Sequence, residues 1–522
     1  MKGSWGRALL PPGIEIPGYP RYPLRGHEDS LSLAVPAGTT AGSPGFQSRA
    51  RMAAPAVLAV LFVLAGCVTG PKYQRPPIAA PEQTRGQATA AEAASLADQA
   101  WWDVFQDEAL KGLIAEALRN GYDVRLAAWR VEEARANAGI VNAQRFPAIQ
   151  GQVEAGYGRQ SQFSSAPGAQ GALVQLNVNA AWEFDLFGRI RHLNEAALAE
   201  YLASEEARRG VFLSLVSEVA TSYFQLRELD LQLEIAQRSS ADFQQTFDLF
   251  NRRLQGGAAS ALETASAEAS LASTAANVPD LERQIVAQEN RLAFLLGRNP
   301  GPIPRGAALN AQFLPPAVPP GLPSDLLERR PDLRQAEQSL IAANANVGVA
   351  NADFFPRISL TGALGLVSPQ VSQLFPAGRT WTIGGGLLSP LFQGQRLREQ
   401  HRAAVARWQQ ARAEYEQSVT NAFGEVSTAL VAYQKLADVE RERARAVAAD
   451  RQAAQISNTR YGAGLSSYLE VLQAQQNLYP AENLLAQARF NRLATLVQLY
   501  RALGGGWKLS DTEWPAAAGG TK

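Results

Sequence analysis

The sequence contains an internal tandem repeat, which constrains the fold more than any single motif does. Two pairs of similar stretches lie 209 residues apart, and two further pairs lie 207 residues apart. The pairs are YDVRLAA at 122–128 with PDLRQAE at 331–337, RFPAI at 145–149 with FFPRI at 354–358, SEVATSYFQL at 217–226 with GEVSTALVAY at 424–433, and GGAASALE at 256–263 with AGLSSYLE at 463–470. A nearly constant offset over about 175 residues indicates two copies of one structural unit.

Each copy is predicted to form a helix, two strands, a very long helix and a further helix. The first helix of the first copy spans about residues 108–143 and stops before Phe146-Pro147, and its counterpart stops before Phe355-Pro356. Both helices end there because proline lacks an amide donor and disfavours helical geometry in the residue before it.

Four segments alternate between apolar and polar residues and are predicted to be strands. They span residues 149–158, 174–186, 358–367 and 380–392. Alternating segments of about ten residues are typical of membrane β-barrels, although the pattern alone also fits a small soluble sheet. Four strands cannot close a barrel, and an open sheet edge cannot face lipid, so a barrel would require several copies of the chain.

The longest helical pattern begins after Gly188 and continues without proline to Gly256, which would give a helix roughly 100 Å long. Thirteen positions in it, eleven of them apolar, are spaced alternately by three and four residues, which predicts a coiled-coil seam. The seam comprises Phe212, Leu215, Val219, Ser222, Leu226, Leu229, Leu233, Ala236, Ser240, Phe243, Phe247, Phe250 and Leu254. The matching seam at 419–461 carries charged residues, so looser packing is expected there; these are Glu440, Arg443 and Asp450.

Cys67 is the only cysteine and follows an apolar run at 53–66. The run is too short to span a bilayer but has the length of a signal-peptide core, with Arg49 and Arg51 before it. Its end, Leu-Ala-Gly-Cys, resembles the bacterial lipobox, which implies cleavage before Cys67 and acylation of its thiol. Val68, rather than Asp, follows the cysteine, which by resemblance to lipoprotein sorting signals implies the outer rather than the inner membrane. The alternative is a buried structural cysteine, although the Pro/Gly-rich stretch that follows offers no core.

The pattern predicts the following division of the chain. Residues 1–48 are rich in proline and precede the signal, so we expect either a start site placed too far upstream or a disordered extension. The remaining parts are a signal peptide at 49–66, a lipid-anchored extended segment at 67–100, the first repeat at 101–300, a linker at 301–321, the second repeat at 322–507 and a C-terminal tail at 508–522.

The composition argues against an enzyme or a nucleic-acid-binding protein. The 49 Lys and Arg residues balance 48 Asp and Glu residues, so no excess charge favours nucleic acid. Three histidines and one cysteine leave little material for a metal site or an acid/base pair. Motifs for phosphate loops, zinc proteases and serine hydrolases are missing from the sequence. We therefore expect no catalytic residue, no metal site and no cofactor beyond the covalent lipid on Cys67.

Several long motifs, in a fixed order, resemble the trimeric outer-membrane factors of tripartite efflux systems, in the lipid-anchored NodT-like and OprM-like branch of the TolC-like superfamily. The motifs are LAGC…YQRP, WEFDLFGRIR at 182–191, LPSDLLERRPDLRQAE at 322–337, FFPRISL at 354–360, RYGAGLSSYLEVLQAQ at 460–475 and LYRALGGGW at 499–507. The resemblance implies an α+β membrane channel. In it, four strands from each of three chains form a 12-stranded barrel, continued across the periplasm by an α-helical barrel.

The resemblance also implies roles for residues at the helix tips, at the far end from the membrane. Leu469, Glu470 and Gln473 fall where related channels narrow their pore, and Tyr461 and Glu263 where a bond holds neighbouring tips together. The turns implied to contact a periplasmic adaptor protein contain Gly256, Gly257, Ser260, Gly462, Gly464 and Ser467. Gln473 is neutral at a place where relatives often have aspartate, so any acidic ring would rest on Glu470.

The function implied is a passive homotrimeric duct in the outer membrane, in contact with outer-membrane lipid. A periplasmic adaptor and an inner-membrane resistance-nodulation-division pump would load it with small amphiphilic molecules such as drugs. Opening is expected to be an iris-like shift of the second repeat's helices. Copper or silver cargo is disfavoured because Met1 and Met52 precede Cys67, which leaves no thioether after it. The alternatives are a type I protein-secretion duct and an anchored structural coiled-coil rod.

Overall fold

The computed structural model describes residues 69–86, 95–159, 161, 163, 170–257, 259–315, 318–510 and 513–514. The predictions for residues 1–48, for the signal at 49–66 and for Cys67 lie outside these residues. None of the described helices is both long enough and apolar enough to cross a membrane.

The described helices and strands follow the predicted order in both repeats. The first repeat contains α1 (Trp101–Val104), α2 (Glu108–Asn120), α3 (Tyr122–Ala143), β1 (Ala148–Arg159), β2 (Gln170–Phe184), α4 (Arg189–Gln255), α5 (Ala261–Ala275) and α6 (Asn277–Leu295). The second contains α7 (Leu326–Arg329), α8 (Pro331–Ala352), β3 (Arg357–Ser368), α9 (Leu374–Ala377), β4 (Arg379–Leu388), α10 (Arg396–Gly462) and α11 (Tyr468–Ala502). Short 3₁₀ turns lie at Leu96–Asp98, Leu309–Ala311, Pro323–Asp325 and Val371–Gln373.

The four strands form one antiparallel sheet in the order β1-β2-β3-β4. The two repeats meet in it through β2 and β3, which pair from Phe184 with Ile358 to Val174 with Ser368. The predicted strands are confirmed, with ends that differ by a few residues. The fourth strand ends at Leu388 rather than at 392 because Pro390 cannot donate to a sheet. Strands β1 and β4 each keep one unpaired edge in the described sheet.

The predicted long helix is confirmed, and the second repeat contains one of the same length: α4 and α10 have 67 residues each. Nine of the thirteen predicted seam positions in α4 are buried, and Leu254 at the tip is the exposed one. In α10, Glu440 accepts hydrogen bonds from Arg489 at 2.7 Å and Arg492 at 2.9 Å. The charge at that seam position is therefore neutralised by α11. Arg443 is exposed, and fewer residues are buried in α10 than in α4, as expected for looser packing.

The first predicted helix, 108–143, is wrong in one respect, because the structure divides it into α2 and α3 at Gly121. Gly121 has ψ of 138°, which is not helical, and a Cβ on it would lie 2.6 Å from the Ala117 carbonyl oxygen. Asp107 starts α2 by accepting hydrogen bonds from the amides of Ala109 and Leu110. The break lets α2 pack into the core while α3 continues beside α4.

The helical paths that return from the two tips differ in continuity and in the spacing of their prolines. The offset between the repeats is 207 residues at Ser260 and Ser467 but 201 residues at Pro279 and Pro480. The first repeat therefore holds six more residues between these points. The two return paths, 261–295 and 468–502, are nevertheless equally long. The first is interrupted at Ala276, between α5 and α6, because Pro279 cannot donate to the Ala275 carbonyl, whereas α11 is one helix.

Residues 69–86 form an irregular segment, called the strap below, that contacts α4, α8 and α10. Its polar contacts, in chain order, include Thr69 with Phe187 and with His192 of α4, Pro71 with Asn344, Arg75 with Glu337, and Gly86 with Gln434. Phe187 follows β2, and Gln434 lies in the middle of α10. The strap thus runs from the sheet end of the helices towards their centre.

Candidate functional site at the helix tips

Each repeat reverses direction at a tight turn between two helices, α4 to α5 and α10 to α11. One glycine in each turn has left-handed backbone geometry: Gly257 with φ of 71° and Gly464 with φ of 73°. Their amides donate to the carbonyls of Leu254 and Tyr461, each at 3.0 Å. Gly256 and Gly462 have ordinary φ, so the turn conformation requires one glycine per tip rather than two.

The helices that leave the two turns begin differently. The Ser260 hydroxyl accepts from the amide of Glu263 at 3.2 Å, and the Glu263 carboxylate accepts from the Ser260 amide at 2.8 Å. These reciprocal bonds form a capping box for α5. Ser467 occupies the same position before α11 but makes no capping hydrogen bond with its side chain.

Side chains from both repeats pack together just behind the turns, in what we call the tip cluster. Its buried members are Phe243, Phe250, Ala267, Tyr468, Val471 and Leu472, with Phe247, Ala259, Leu271 and Tyr461 packed against them. The rings of Phe250 and Tyr468 lie 4.1 Å apart between centroids. The tips of the two repeats in one chain therefore share a single hydrophobic core.

Tyr461 is held by a residue that the sequence analysis did not identify. The Arg253 guanidinium donates to the Tyr461 hydroxyl at 2.5 Å and lies 5.0 Å from the centre of its ring. The counterpart of Arg253 in the second repeat, Arg460, donates to the Leu465 carbonyl in its own turn. Arg253 alone of this pair crosses between the repeats. Its position one turn before Gly257 was the only signal in the sequence.

The structure does not bring Tyr461 and Glu263 together within one chain. Tyr461 is bonded to Arg253, and the Glu263 carboxylate is bound to Ser260 in the capping box. A bond from either residue to a neighbouring chain stays a prediction. Glu263 would keep its acceptor capacity for such a bond, because a carboxylate has about four lone-pair sites.

Leu469, Glu470 and Gln473, predicted to narrow a pore, all lie on the exposed side of α11. Leu469 is 68% exposed, whereas Tyr468, Val471 and Leu472 point into the tip cluster. Gln473 is a neighbour of both Leu469 and Glu470 on the helix surface, because residues three and four positions apart lie on the same face. Their role at a constriction stays a prediction.

The tip cluster is uncharged at neutral pH. Burial, with the nearby Tyr461 phenol, raises the pKa of Tyr468 to about 12. Its hydroxyl is buried and has no hydrogen-bond partner among the described residues. No group of three or more potential metal ligands occurs in the described part of the chain.

Residues 113–298 and 322–505 match the protein family described as "Outer membrane efflux protein". The cation efflux system protein CusC of Escherichia coli is 36% identical over 455 residues, covering 86% of this chain and 98% of the relative. The probable efflux pump outer membrane protein TtgC of Pseudomonas putida is 35% identical over 455 residues, covering 85% of this chain and 94% of the relative. The structure of the outer-membrane channel OprN matches with a TM-score of 0.79 at 33% identity, covering 85% of this chain and 100% of the channel. The two family segments coincide with the two repeats, and each includes one tip.

Proposed function

Because the chain belongs to the outer membrane efflux protein family, we propose that three copies form a duct through which a proton-driven inner-membrane pump and a periplasmic adaptor expel small amphiphilic molecules. Membership makes the protein an efflux channel subunit of the outer membrane. The trimer, the adaptor, the pump and the cargo class are the parts that the proposal adds.

The observation that carries the proposal is the four-stranded sheet with two free edges, set on helices of 67 residues. Lipid cannot satisfy the unpaired backbone groups of β1 and β4, so each edge needs a strand from another chain. Three sheets joined edge to edge would supply twelve strands, enough to enclose a water-filled interior. Helices of roughly 100 Å would then extend the conduit away from the membrane.

The internal repeat supports the same assembly at the helices. In the second repeat, α8 packs between α4 and α10, whereas the equivalent α3 packs extensively along α4 alone. The open side of α3 carries large exposed apolar residues: Tyr122, Leu126, Trp129 and Ile140. If the first repeat follows the pattern of the second, the missing neighbour of α3 is α10 of another copy. Repeats would then alternate around a closed ring.

Two features support the proposed lipid anchor at Cys67. Thr69 donates to the Phe187 carbonyl at 3.1 Å, so the strap begins where β2 ends. Phe187 also stacks on Phe355, the residue two before β3, at 4.7 Å. The strap therefore starts at the sheet end of the chain, where a lipid carried on a nearby residue could enter the bilayer.

The tips supply the proposed gate. Arg253 fixes the orientation of Tyr461, so that Tyr461 and Glu263 can meet partners on neighbouring chains, and Leu469, Glu470 and Gln473 face the shared axis. The adaptor would contact the turns that contain Gly257 and Gly464. The double variant Tyr461→Phe, Glu263→Gln should conduct ions more than the parent in planar bilayers. An unchanged closed state would contradict this assignment.

The proposal is tested in a strain from which the gene has been deleted. The strain is complemented either with the parent protein or with a variant that lacks β4, the strand that pairs with β3 at one edge of the sheet. The parent should restore efflux of an amphiphilic dye and tolerance of hydrophobic drugs, and the variant should not. Unchanged dye efflux in the deletion strain would contradict the proposal. Comparing drug tolerance with copper tolerance tests the cargo, since one relative is named for cation efflux and another for an efflux pump.

The partners can be identified by cross-linking the tagged protein in intact cells. Recovery of an adaptor with a resistance-nodulation-division pump is the expected result. Recovery of an ATP-driven transporter would instead indicate protein secretion. Recovery of neither, despite cross-linking between copies, would favour a structural rod.

A further inference from the structure

Two exposed arginines lie at the end of the sheet that is farthest from the long helices. Strand β1 follows α3 and ends at Arg159, whereas β4 begins at Arg379 and leads back towards α10. In the proposed duct the helices extend from the membrane into the periplasm. Both arginines therefore lie on the side of the membrane that faces the outside of the cell.

Both arginines belong to the apolar face of the sheet. Side chains alternate between the two faces of a strand, so Arg159 shares a face with Tyr157, and Arg379 shares a face with Trp381 and Ile383. Tyr157, Trp381 and Ile383 are each at least 72% exposed. The apolar face of a membrane barrel contacts lipid, and its aromatic residues lie at the level of the headgroups. The arginines, two residues farther out, are then among the headgroups of the outer leaflet.

The sequence around the two arginines contains no acidic residue that could neutralise them. Arg159 is the only charged residue in 155–182, and Arg379 is the only charged residue in 358–395. Glu154 lies five positions before Arg159 and therefore belongs to the opposite face of β1. Because arginine stays protonated at physiological pH, the negative charge that pairs with it has to come from another molecule.

The internal repeat predicts how strands of neighbouring copies pair. Strands β1 and β3 have the same length and begin 209 residues apart. The residues opposite their first positions, Ala181 in β2 and Leu388 in β4, are 207 residues apart. Within the chain β2 pairs with β3, so β4 of one copy should pair with β1 of the next, which are the two free edges.

The observed register, transferred to this contact, brings the two arginines together. Within the chain, Val174 of β2 lies opposite Ser368 of β3. Their counterparts are Trp381 and Arg159, which should lie opposite each other on neighbouring copies. Arg379, two residues before Trp381 on the same face, is then the diagonal neighbour of Arg159 at about 7–8 Å. Two guanidinium groups at this spacing can bind one phosphate group.

Building on the proposed trimer, we propose that Arg159 of one copy and Arg379 of the next bind the phosphorylated headgroup of a glycolipid in the outer leaflet. Guanidinium groups suit this ligand because they donate paired hydrogen bonds to phosphate oxygens. The equivalent positions at the contact within each chain are uncharged, since they are occupied by Ser368 and Ala172. A trimer therefore has three such sites, each completed only when two copies meet.

Native mass spectrometry of the delipidated trimer in a neutral detergent tests the site. The probe is bis-phosphorylated lipid A, and up to three molecules should bind each parent trimer. Arg159→Gln with Arg379→Gln should weaken binding at least about tenfold, because both donors to the phosphate are lost, yet assemble and restore dye efflux like the parent. Arg145→Gln with Arg398→Gln removes the same charge at the helix end of the sheet and should bind like the parent.

Three results would overturn the lipid site. The first is equal binding of the probe by the parent and by the variant that lacks Arg159 and Arg379. The second is equal binding, by the parent, of lipid A without its phosphate groups. The third is displacement of the probe by inorganic phosphate, which would indicate a site for the free anion.

A disulfide between copies tests the register separately. The same transfer places Ile383 opposite Tyr157, so Tyr157→Cys with Ile383→Cys should link copies covalently on oxidation. Tyr157→Cys with Leu387→Cys moves one thiol by four residues, about 14 Å, and should not link them. The parent, oxidised in the same way, controls for Cys67.

The outcomes for the register and for the proposed function are distinct. A lack of links in the first variant, or links in the second one only, would overturn the register and with it the lipid site, even where trimers form. Failure of the parent to form trimers in the mass spectrum would overturn the proposed function and the lipid site together.

Discussion

Among single residues, Asp107 shows how one buried carboxylate can join distant segments. Besides capping α2, it accepts from the Tyr223 hydroxyl at 3.0 Å, the Ala307 amide at 2.9 Å and the Gln312 side chain at 2.7 Å. Gly306 passes so close that a Cβ there would lie 2.1 Å from the carboxylate. These bonds connect α2, α4 and the linker between the repeats.

We expect Asp107→Ala to lower the free energy of unfolding by about 3 kcal/mol, because several buried donors lose their acceptor together. The measurement is urea unfolding followed by helical circular dichroism. Glu108→Ala, at the exposed neighbouring position, should change it by less than about 0.5 kcal/mol. A loss of similar size in both variants would contradict the role given to Asp107.

Arg253 is predicted to keep the gate closed by positioning Tyr461. Arg253→Ala should raise the open probability in planar bilayers about tenfold, since a hydrogen bond to a charged group contributes about 1.5–3 kcal/mol. Arg460→Ala is the matched control from the other repeat and should leave the open probability near that of the parent. A larger effect from Arg460→Ala would show that the turn, not Tyr461, sets the gate.

Glu228 is expected to make stability depend on pH. Burial raises the pKa of Glu228 from 4.5 to about 7, and its partner is the Gln232 amide at 3.0 Å. The folded chain therefore holds a proton that the unfolded chain releases, so stability falls as pH rises from about 4.5 to about 7 and then levels off.

Glu228→Gln should accordingly raise the free energy of unfolding at pH 8 by about 2 kcal/mol and change it little at pH 5. Unfolding of both proteins at the two pH values checks this. Glu234→Gln, at an exposed position of the same helix, should show no such difference. An equal gain at both pH values would contradict titration of Glu228.

Among the structural elements, the two tight turns show which glycines are required by the backbone conformation. Gly464→Ala should destabilise its turn by about 1 kcal/mol, because alanine disfavours left-handed geometry. Gly462→Ala, two residues earlier and helical, should stabilise α10 by up to about 1 kcal/mol. Hydrogen exchange of residues 455–470 would report both effects, and identical exchange in the two variants would refute the distinction.

The sequence predicts those elements whose signal is local and repeated. Both long helices and all four strands follow from periodicity, since each pattern extends over many residues. The break at Gly121 was missed because a single glycine inside an apolar helical pattern is often tolerated. The interruption at Ala276 is caused by Pro279, which cannot donate to the Ala275 carbonyl, whereas Pro480 is accommodated inside α11, so proline alone did not predict which return path breaks.

Tip contacts were harder to predict for a different reason. Motif resemblance drew attention to Tyr461 and Glu263, yet the partner of Tyr461 in the chain is Arg253, 208 residues away. Which arginine crosses between repeats depends on how two helices are rotated against each other, and no local pattern encodes that. The duplication makes this harder to predict, because Arg460 occupies the same position in the second repeat as Arg253 does in the first.

For the whole molecule, the prediction concerns assembly. A charge at the open side of α3, as in Trp129→Glu, should reduce the trimer fraction after mild cross-linking at least about tenfold, because desolvating a carboxylate in an interface is costly. Gln338→Glu, at the equivalent position of α8, should assemble like the parent. Equal assembly of both variants would place the contact between copies elsewhere.

The free edges of the sheet have a further consequence for how a cell makes this protein. A newly secreted chain carries two adhesive strand edges before it meets other copies, and such edges pair with whatever strand arrives first. The yield of assembled channels then depends on the rate at which edges pair with other copies of the chain, relative to the rate at which they aggregate. At the same total amount of protein, slow and continuous synthesis should therefore give more assembled channels than rapid synthesis over a short time.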